Sequence, residues 1–177
     1  MFSIPSPWPD FFVAVDQGLT SAVELHCVGG FVLTAVYKLP RTTGDLDYIS
    51  ITPQYLASPL EELAGVASPL AKKYRVYIQS AGGITDYPED YEIRVQVLPL
   101  ELSKLTLKTL DPYDIVLSKL ARNSPKDRWD VQFLSSQLGM EFHILYERWE
   151  KEMKPWIANA ERHETTLNVV WKPYFKP

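Results

Sequence analysis

The sequence predicts an α+β protein in which strands and helices alternate first and a C-terminal helical part follows. Alternating polar and apolar residues over 45–52 and 92–97 have the period of β-strands. From Asp111 onward, apolar residues recur at the three- and four-residue steps of α-helices. Because strands fill the first two thirds and helices the last third, we expect a core at 1–110 and a helical part at 111–177, packed as one compact unit.

The individual elements follow from the same periodicities and from turn residues. We expect helices over 9–22, 31–37, 53–73 (in one or two pieces), 112–122, 125–138 and 141–157, and strands over 24–28, 45–52, 76–80, 92–97 and 105–110. Five prolines each follow a residue that favours helix N-caps: Thr52, Ser58, Ser68, Asp111 and Ser124. The last helix places one apolar face toward the core: Phe142, Leu145, Trp149, Met153 and Trp156.

Composition excludes several classes of protein. Apolar residues make up 46% of the chain and charged residues 23%, which is typical of a globular protein and not of a disordered one. The sequence has no run of about 18 apolar residues, so it predicts no membrane span. The single Cys27 excludes a disulfide scaffold and favours a reducing cytoplasm. A net charge of -4 argues against bulk nucleic-acid binding, although the segment 104–128 has six basic against three acidic residues.

The segment from Glu24 to Ser50 carries the residues best suited to chemistry. Gly29 and Gly30 separate a predicted strand from a predicted helix, where a backbone without side chains lets an anionic ligand approach closely. Asp45 and Asp47 lie two apart on a strand, so both carboxylates point to one face. Such oxygens suit Mg²⁺ or Mn²⁺ bound to phosphates. A solvated strand edge is the alternative, but aspartate is depleted in strands.

This order of motifs resembles the nucleotidyltransferase superfamily with the DNA polymerase β fold. Its pattern of Gly-Gly or Gly-Ser, a helix and Asp-x-Asp on the next strand is met by Gly29-Gly30 and Asp45-Leu46-Asp47. The segment Arg41-Thr42-Thr43-Gly44-Asp45-Leu46-Asp47 is similar to the branch that holds AbiEii-type abortive-infection toxins. A second segment, DIVLSKLARNSPKDRWDVQFL at 114–134, supports that branch. The resemblance covers about residues 24–135.

The resemblance implies a polymerase-β-like mixed sheet and metal-dependent transfer of a nucleoside monophosphate. A nucleoside triphosphate would donate it to a hydroxyl of RNA, a protein or a small molecule, and pyrophosphate would leave. Asp45 and Asp47 would be catalytic and hold the metal, and the nucleotide would contact Gly29, Gly30, Arg41, Thr43 and Lys119. Arg41 has an alternative role, which is to pair with an aspartate and hold its loop. The branch also implies a bacterial toxin or phage-defence protein with a cognate antitoxin partner.

Two departures from the family's pattern bear on activity. Many relatives have Ser where Gly30 stands, which adds a hydroxyl to the phosphate contacts. The superfamily also places a third catalytic carboxylate on a later strand, for which Glu92 is our first candidate and Asp90 and Glu101 are alternatives. If that strand presents Arg94 or Gln96 instead, the protein would be a catalytically weak module that binds a nucleotide or a partner.

The remaining charged and aromatic residues have mainly structural interpretations. We expect Asp114 and Asp127 to stabilise helix N-termini, whereas Lys126 and Arg122 are both open as partners of Asp130. Cys27 is expected to be buried and not a nucleophile. A purely structural protein that docks a partner through its Trp-rich last helix is a further alternative.

Overall fold

The protein's structure, a computed structural model, describes residues 4–83 and 85–176. Its helices are α1 (Trp8–Gly18), α2 (Gly29–Ala35), α3 (Ala57–Ala64), α4 (Pro69–Tyr74), α5 (Pro112–Leu117), α6 (Pro125–Leu138), α7 (Phe142–Glu152) and α8 (Ala160–Thr165). Its strands are β1 (Val23–Val28), β2 (Asp45–Thr52), β3 (Tyr77–Ser80), β4 (Gln96–Val97) and β5 (Leu105–Thr109). The chain forms two compact units, one of Met1–Gly83 with Val95–Leu110 and the other of Ile84–Arg94 with Asp111–Pro177.

The first unit contains a five-stranded mixed sheet in the order β3-β2-β1-β5-β4. Strand β1 lies at its centre, antiparallel to β2 and parallel to β5. Strand β3 continues the sheet parallel to β2, and the short β4 closes the other edge antiparallel to β5. This arrangement confirms the predicted α+β fold with a mixed sheet.

One face of this sheet is apolar and the other is polar. The pairs Leu25–Leu107 and Leu46–Ile78 lie in register, and all four side chains are buried. The opposite face carries Asp45 and Asp47. It also carries polar residues on the adjoining strands, such as Gln79, which pairs in register with Asp47. Since side chains alternate along a strand, the period of β2 alone assigns both aspartates to the polar face.

An aromatic cluster anchors α1 and α2 in the first unit. Trp8 packs against Phe31 with ring centroids 4.7 Å apart, and Phe31 meets Phe12 edge to face at 5.5 Å. Phe11 adds a further edge contact to Trp8 at 5.8 Å. All four rings are buried, and such large apolar surfaces dominate the energy of a core. The cluster therefore holds the start of α2, where the glycine pair lies.

The second unit is mainly helical, and besides the C-terminal part it includes Ile84–Arg94. Trp149 and Trp171 are fully buried in its core together with Leu134, Leu145 and Leu167. The side chains of Asp111 and Ser124 cap α5 and α6, and Ser124 forms a capping box with Asp127. In the first unit, Ser68 caps α4 in the same way. Asp114 is buried in this unit, where Arg94 and Arg148 hold its carboxylate at 2.8–3.0 Å.

Several element predictions were wrong. Residues 89–94 form a 3-10 helix, so the expected strand over 92–97 shortens to β4. Neither Thr52 nor Ser58 caps a helix, because α3 begins at Ala57 after a 3-10 turn at Gln54–Leu56. Trp156 is 64% exposed, because α7 ends at Glu152 before the apolar spacing reaches it. Within the described residues, every helix is too short or too polar to cross a membrane.

Asp16 joins α1 to the start of β5. Its carboxylate accepts hydrogen bonds from the backbone N–H groups of Ser103, Lys104 and Leu105 at 3.1, 2.6 and 2.8 Å. Burial raises the pKa of Asp16, but these three bonds and the charge of Lys104 outweigh it and lower the pKa below its usual value. The contact fixes the strand that lies beside β1.

We predict that Asp16→Ala lowers the free energy of unfolding by about 2 kcal/mol at pH 7, because buried N–H donors lose their acceptor. The difference from the native protein shrinks as the pH falls below about 4, since the lowered pKa contributes stability only while the carboxylate is ionised. Urea unfolding of the native and variant proteins at pH 7 and below about pH 4 measures this difference. Asp10→Ala, an exposed change on the same helix, is the control. Equal stability of both variants would contradict the prediction.

Candidate active site

The turn from β1 to α2 lies directly against Asp47. Val28 pairs with Asp47 across the two strands, and Gly29 then adopts a φ of +73°. A Cβ atom on Gly29 would lie 2.5 Å from Asp47 Oδ2, which is closer than atoms can pack. A glycine is therefore required here by both its backbone conformation and its neighbour. The first predicted site residue and one of the two aspartates are thus in contact.

Gly30 lies under the side chains of Arg41 and Thr43. A Cβ atom on Gly30 would lie 2.9 Å from Thr43 Oγ1 and 3.2 Å and 3.3 Å from the terminal nitrogens of Arg41. A hydroxyl and a guanidinium thus occupy the space that a side chain at position 30 would take. The loop after α2 therefore folds back over the glycine pair, which brings together four of the predicted nucleotide contacts: Gly29, Gly30, Arg41 and Thr43.

The two aspartates are half-buried and are held by neighbouring side chains. The Thr43 hydroxyl donates to Asp45 Oδ1 at 2.5 Å, and the Gln79 amide donates to Asp47 Oδ1 at 2.7 Å. Gln79 lies on β3, in register with Asp47. Each carboxylate is therefore oriented by a donor that is itself part of the loop or the sheet. The sequence did not single out Gln79, whose exposed strand position resembles many others.

These carboxylates fit a single Mg²⁺ or Mn²⁺ that is also held by phosphates. Both ions take oxygen ligands, and magnesium sites commonly use one or two carboxylates. Across residues 4–83 and 85–176, no group of three or more His, Cys, Asp or Glu side chains is arranged to hold a metal ion. Metal binding by the pair Asp45 and Asp47 therefore stays a prediction, which rests on the chemistry of their two carboxylates.

The structural basis for Glu92 as third carboxylate was wrong. Glu92 lies in the 3-10 helix Glu89–Arg94, in the second unit, and not on a strand of the sheet. Asp90 lies in the same helix, where its N–H donates to Glu152. Glu101 precedes β5 and is exposed. Arg94 was the alternative residue that the expected strand would present to the site. It binds Asp114 and Glu152 within its own unit instead.

Strand β5 presents a lysine on the polar face of the sheet. Lys108 pairs in register with His26 on β1, and its ammonium lies 2.8 Å from Glu24. The hydrogen bond from Lys108 lowers the pKa of Glu24 against the effect of burial, and His26 at 3.1 Å adds to this. Sequence reasoning missed this ion pair, because only the strand register joins residues so far apart in the chain.

Lys119 lies in an internal ion cluster of the second unit. Only 5% of its side chain is exposed, and its ammonium lies 2.8 Å from Asp130 and 3.5 Å from Asp127. Burial raises the pKa of Asp127, but hydrogen bonds from Arg122 and Ser124 and the charge of Lys119 hold it well below its usual value. The structure therefore supplies the open partner of Asp130 and confirms the helix-capping role of Asp127. Nucleotide binding by Lys119 stays a prediction.

The comparisons with known proteins agree with the geometry at the level of a family. The family described as a nucleotidyltransferase of unknown function (DUF6036) matches residues 14–176, which is nearly the whole chain. No curated protein and no solved structure matches the sequence. The match includes the glycine pair, both aspartates and the Lys119 cluster.

We predict that Gly29→Ala lowers the free energy of unfolding by about 2 kcal/mol, because alanine disfavours a φ of +73° and its methyl group displaces Asp47. Chemical denaturation measures the change. Gly44→Ala is the control, since a Cβ there would meet its nearest neighbour, the Arg75 carbonyl oxygen, at an ordinary 3.7 Å. A Gly29→Ala protein as stable as Gly44→Ala would show that this close approach is not made.

We predict that Lys119→Ala lowers the free energy of unfolding by about 3 kcal/mol, because the buried Asp130 and Asp127 would lose the ammonium that lies 2.8 Å and 3.5 Å from them. Lys126→Ala, an exposed change of the same charge on α6, is expected to cost less than about 0.5 kcal/mol. Thermal and urea unfolding of both variants test the difference. If both variants lost the same stability, the interpretation that Lys119 is part of a buried ion cluster would be contradicted.

Proposed function

This chain belongs to the nucleotidyltransferase family of unknown function, and we propose that it transfers a nucleoside monophosphate from a nucleoside triphosphate to a hydroxyl group. The observation that carries the proposal is the contact of Asp47 with Gly29 while Arg41 and Thr43 lie over Gly30. Carboxylates, a glycine backbone and a guanidinium thus occur within one small region. Few ligands need all three, and a metal-bound polyphosphate is one of them.

In this proposal, Asp45 and Asp47 hold the metal ion. The hydrogen bonds from Thr43 and Gln79 orient the two carboxylates for it. A bound Mg²⁺ supplies charge neutralisation for the phosphates. Arg41 binds phosphate oxygens above Gly30 with its planar donor fork. These residues position the α-phosphorus for attack, and positioning with charge stabilisation provides most of the catalysis in phosphoryl chemistry.

The proposed reaction forms one bond and breaks one. The oxygen of the acceptor hydroxyl bonds to the α-phosphorus, and the bond from that phosphorus to the bridging oxygen of pyrophosphate breaks. The hydroxyl proton leaves to solvent. We keep RNA, a protein and a small molecule as acceptor classes, and we propose a toxin or phage-defence role with an antitoxin partner on the resemblance of Arg41 to Asp47 and of 114–134 alone.

A second candidate is a nucleotide-binding module with little or no turnover. The polar face of β5 favours it, because Lys108 lies there beside His26 and no carboxylate of that strand joins the aspartates. Such a module would bind a triphosphate with Mg²⁺ and release no pyrophosphate.

We predict that the native protein transfers label from an α-labelled nucleoside triphosphate in the presence of Mg²⁺ or Mn²⁺. The variant Asp45→Asn with Asp47→Asn is expected to lose at least a thousandfold in rate, because the metal loses its charged ligands. Each of the four triphosphates is tested with total RNA, with the protein itself and with a panel of small hydroxyl compounds.

The control is Glu61→Gln with Glu62→Gln, which removes two carboxylates from α3 and leaves the site intact. Transfer by both the native and the control protein supports the enzyme. Triphosphate binding without pyrophosphate release selects the module. Absence of both binding and transfer in the folded protein contradicts the two candidates together.

A further inference from the structure

A pocket of about 490 Å³ lies beside the candidate site in the first unit. One wall is the N-terminal segment Pro5–Trp8, the second is the loop at Arg41–Gly44, and the third is the segment Tyr74–Val76, where α4 ends. A neighbouring depression of about 560 Å³ shares Arg41 with it and adds Lys38. Volumes of this size accommodate small ligands.

The charges that line this pocket are all positive. Its described lining includes Arg41 and Arg75, the adjoining depression adds Lys38, and neither contains an aspartate or a glutamate. The hydroxyl groups of Ser6 and Thr42 supply further donors. This contrasts with the first 100 residues as a whole, where 11 acidic residues outnumber 6 basic ones. A cationic, hydroxyl-lined pocket selects an anion.

Among the described charged residues that line this pocket, Arg75 is the one that the neighbouring depression does not share. The backbone N–H of Arg75 donates a hydrogen bond to the carbonyl of Ala71. Two residues later, the N–H of Tyr77 donates to the carbonyl of Gly44. The backbone of Arg75 is therefore fixed beside the loop of the candidate site. Its side chain is exposed, and no ion pair or hydrogen bond joins its guanidinium to any described residue. A guanidinium in that position presents its donors to a ligand.

The pocket is next to the proposed triphosphate site and not the same site. Thr43 belongs to both, because it lines the pocket and donates to Asp45. Gly29, Gly30, Asp45 and Asp47 do not line it. A ligand in the pocket thus lies beside Thr43, which holds Asp45, and leaves the space over the glycine pair open.

We propose that this pocket binds a phosphate group carried by the acceptor, so that the hydroxyl acceptor is a phosphorylated compound. The inference rests on the proposed function, because it needs a donor over Gly29 and Gly30 and an acceptor beside it. The fork of Arg75 binds the phosphate oxygens, and Arg41 lies between the donor and acceptor phosphates. Recognition of charge then excludes neutral hydroxyl compounds as efficient substrates.

Binding and transfer are measured separately to test this. Adenosine 5′-monophosphate and adenosine are titrated calorimetrically into the native, Arg75→Ala and Lys72→Ala proteins with EDTA, which removes metal-dependent donor binding. Lys72 is exposed on α4, carries the same charge and does not line the pocket. We expect the monophosphate to bind the native and Lys72→Ala proteins alike, at least tenfold tighter than adenosine, and Arg75→Ala to lose at least tenfold. The proposed phosphate pocket is overturned if the monophosphate and adenosine bind equally, if Arg75→Ala binds the monophosphate as well as the native protein does, or if nothing binds.

The acceptor role is tested on whichever acceptor takes label. Arg75→Ala is expected to raise its KM at least tenfold while the KM for the triphosphate stays within twofold, and removal of the acceptor's phosphate is expected to abolish this effect. An unchanged acceptor KM overturns the inference while the proposed function stands. Monophosphate binding that depends on Arg75 without transfer to any acceptor overturns the proposed function and leaves only an anion pocket.

Discussion

The candidate site depends on the close contact between the backbone of Gly29 and the carboxylate of Asp47. Pairing of β1 with β2 brings the end of one strand against the second aspartate, where only a hydrogen atom fits on the Gly29 Cα. The positive φ of Gly29 then turns the chain into α2 and places Gly30 under Arg41 and Thr43. A single substitution at Gly29 would disturb the strand pair, the helix start and the carboxylate at once, because one contact links them.

The two faces of the sheet explain why acidic side chains are tolerated in a strand. The apolar face contributes Leu25, Leu46, Ile78 and Leu107 to the core, so β2 needs only every other residue for burial. The other residues are available for polar groups at little cost in stability. Donors from Thr43 and Gln79 then fix the carboxylates, which reduces the reorganisation that a bound metal would require.

Local patterns predicted most of the fold and the centre of the site, and long-range register decided the rest. Strand period and the glycine pair sufficed for β1, α2 and β2, because each signal lies within a few residues. Glu92 failed for the opposite reason: EIRVQV alternates like a strand, but Arg94 is drawn into ion pairs with Asp114 and Glu152, distant residues that no local pattern connects to it. Gln79 and Lys108 escaped attention because only pairing between strands gives them their neighbours.

The balance of charge gives the fixed cations of the first unit a role in either candidate function. Two carboxylates and a triphosphate together carry more negative charge than one divalent cation removes, and β5 contributes Lys108 where another carboxylate would add to the excess. Lys108 is paired with Glu24 on the same face of the sheet. Arg41 lies over Gly30, and the pocket beyond it adds Arg75. In the proposed function, a site with two carboxylates would draw on these arginines, and a guanidinium remains charged at every pH at which the aspartates are ionised.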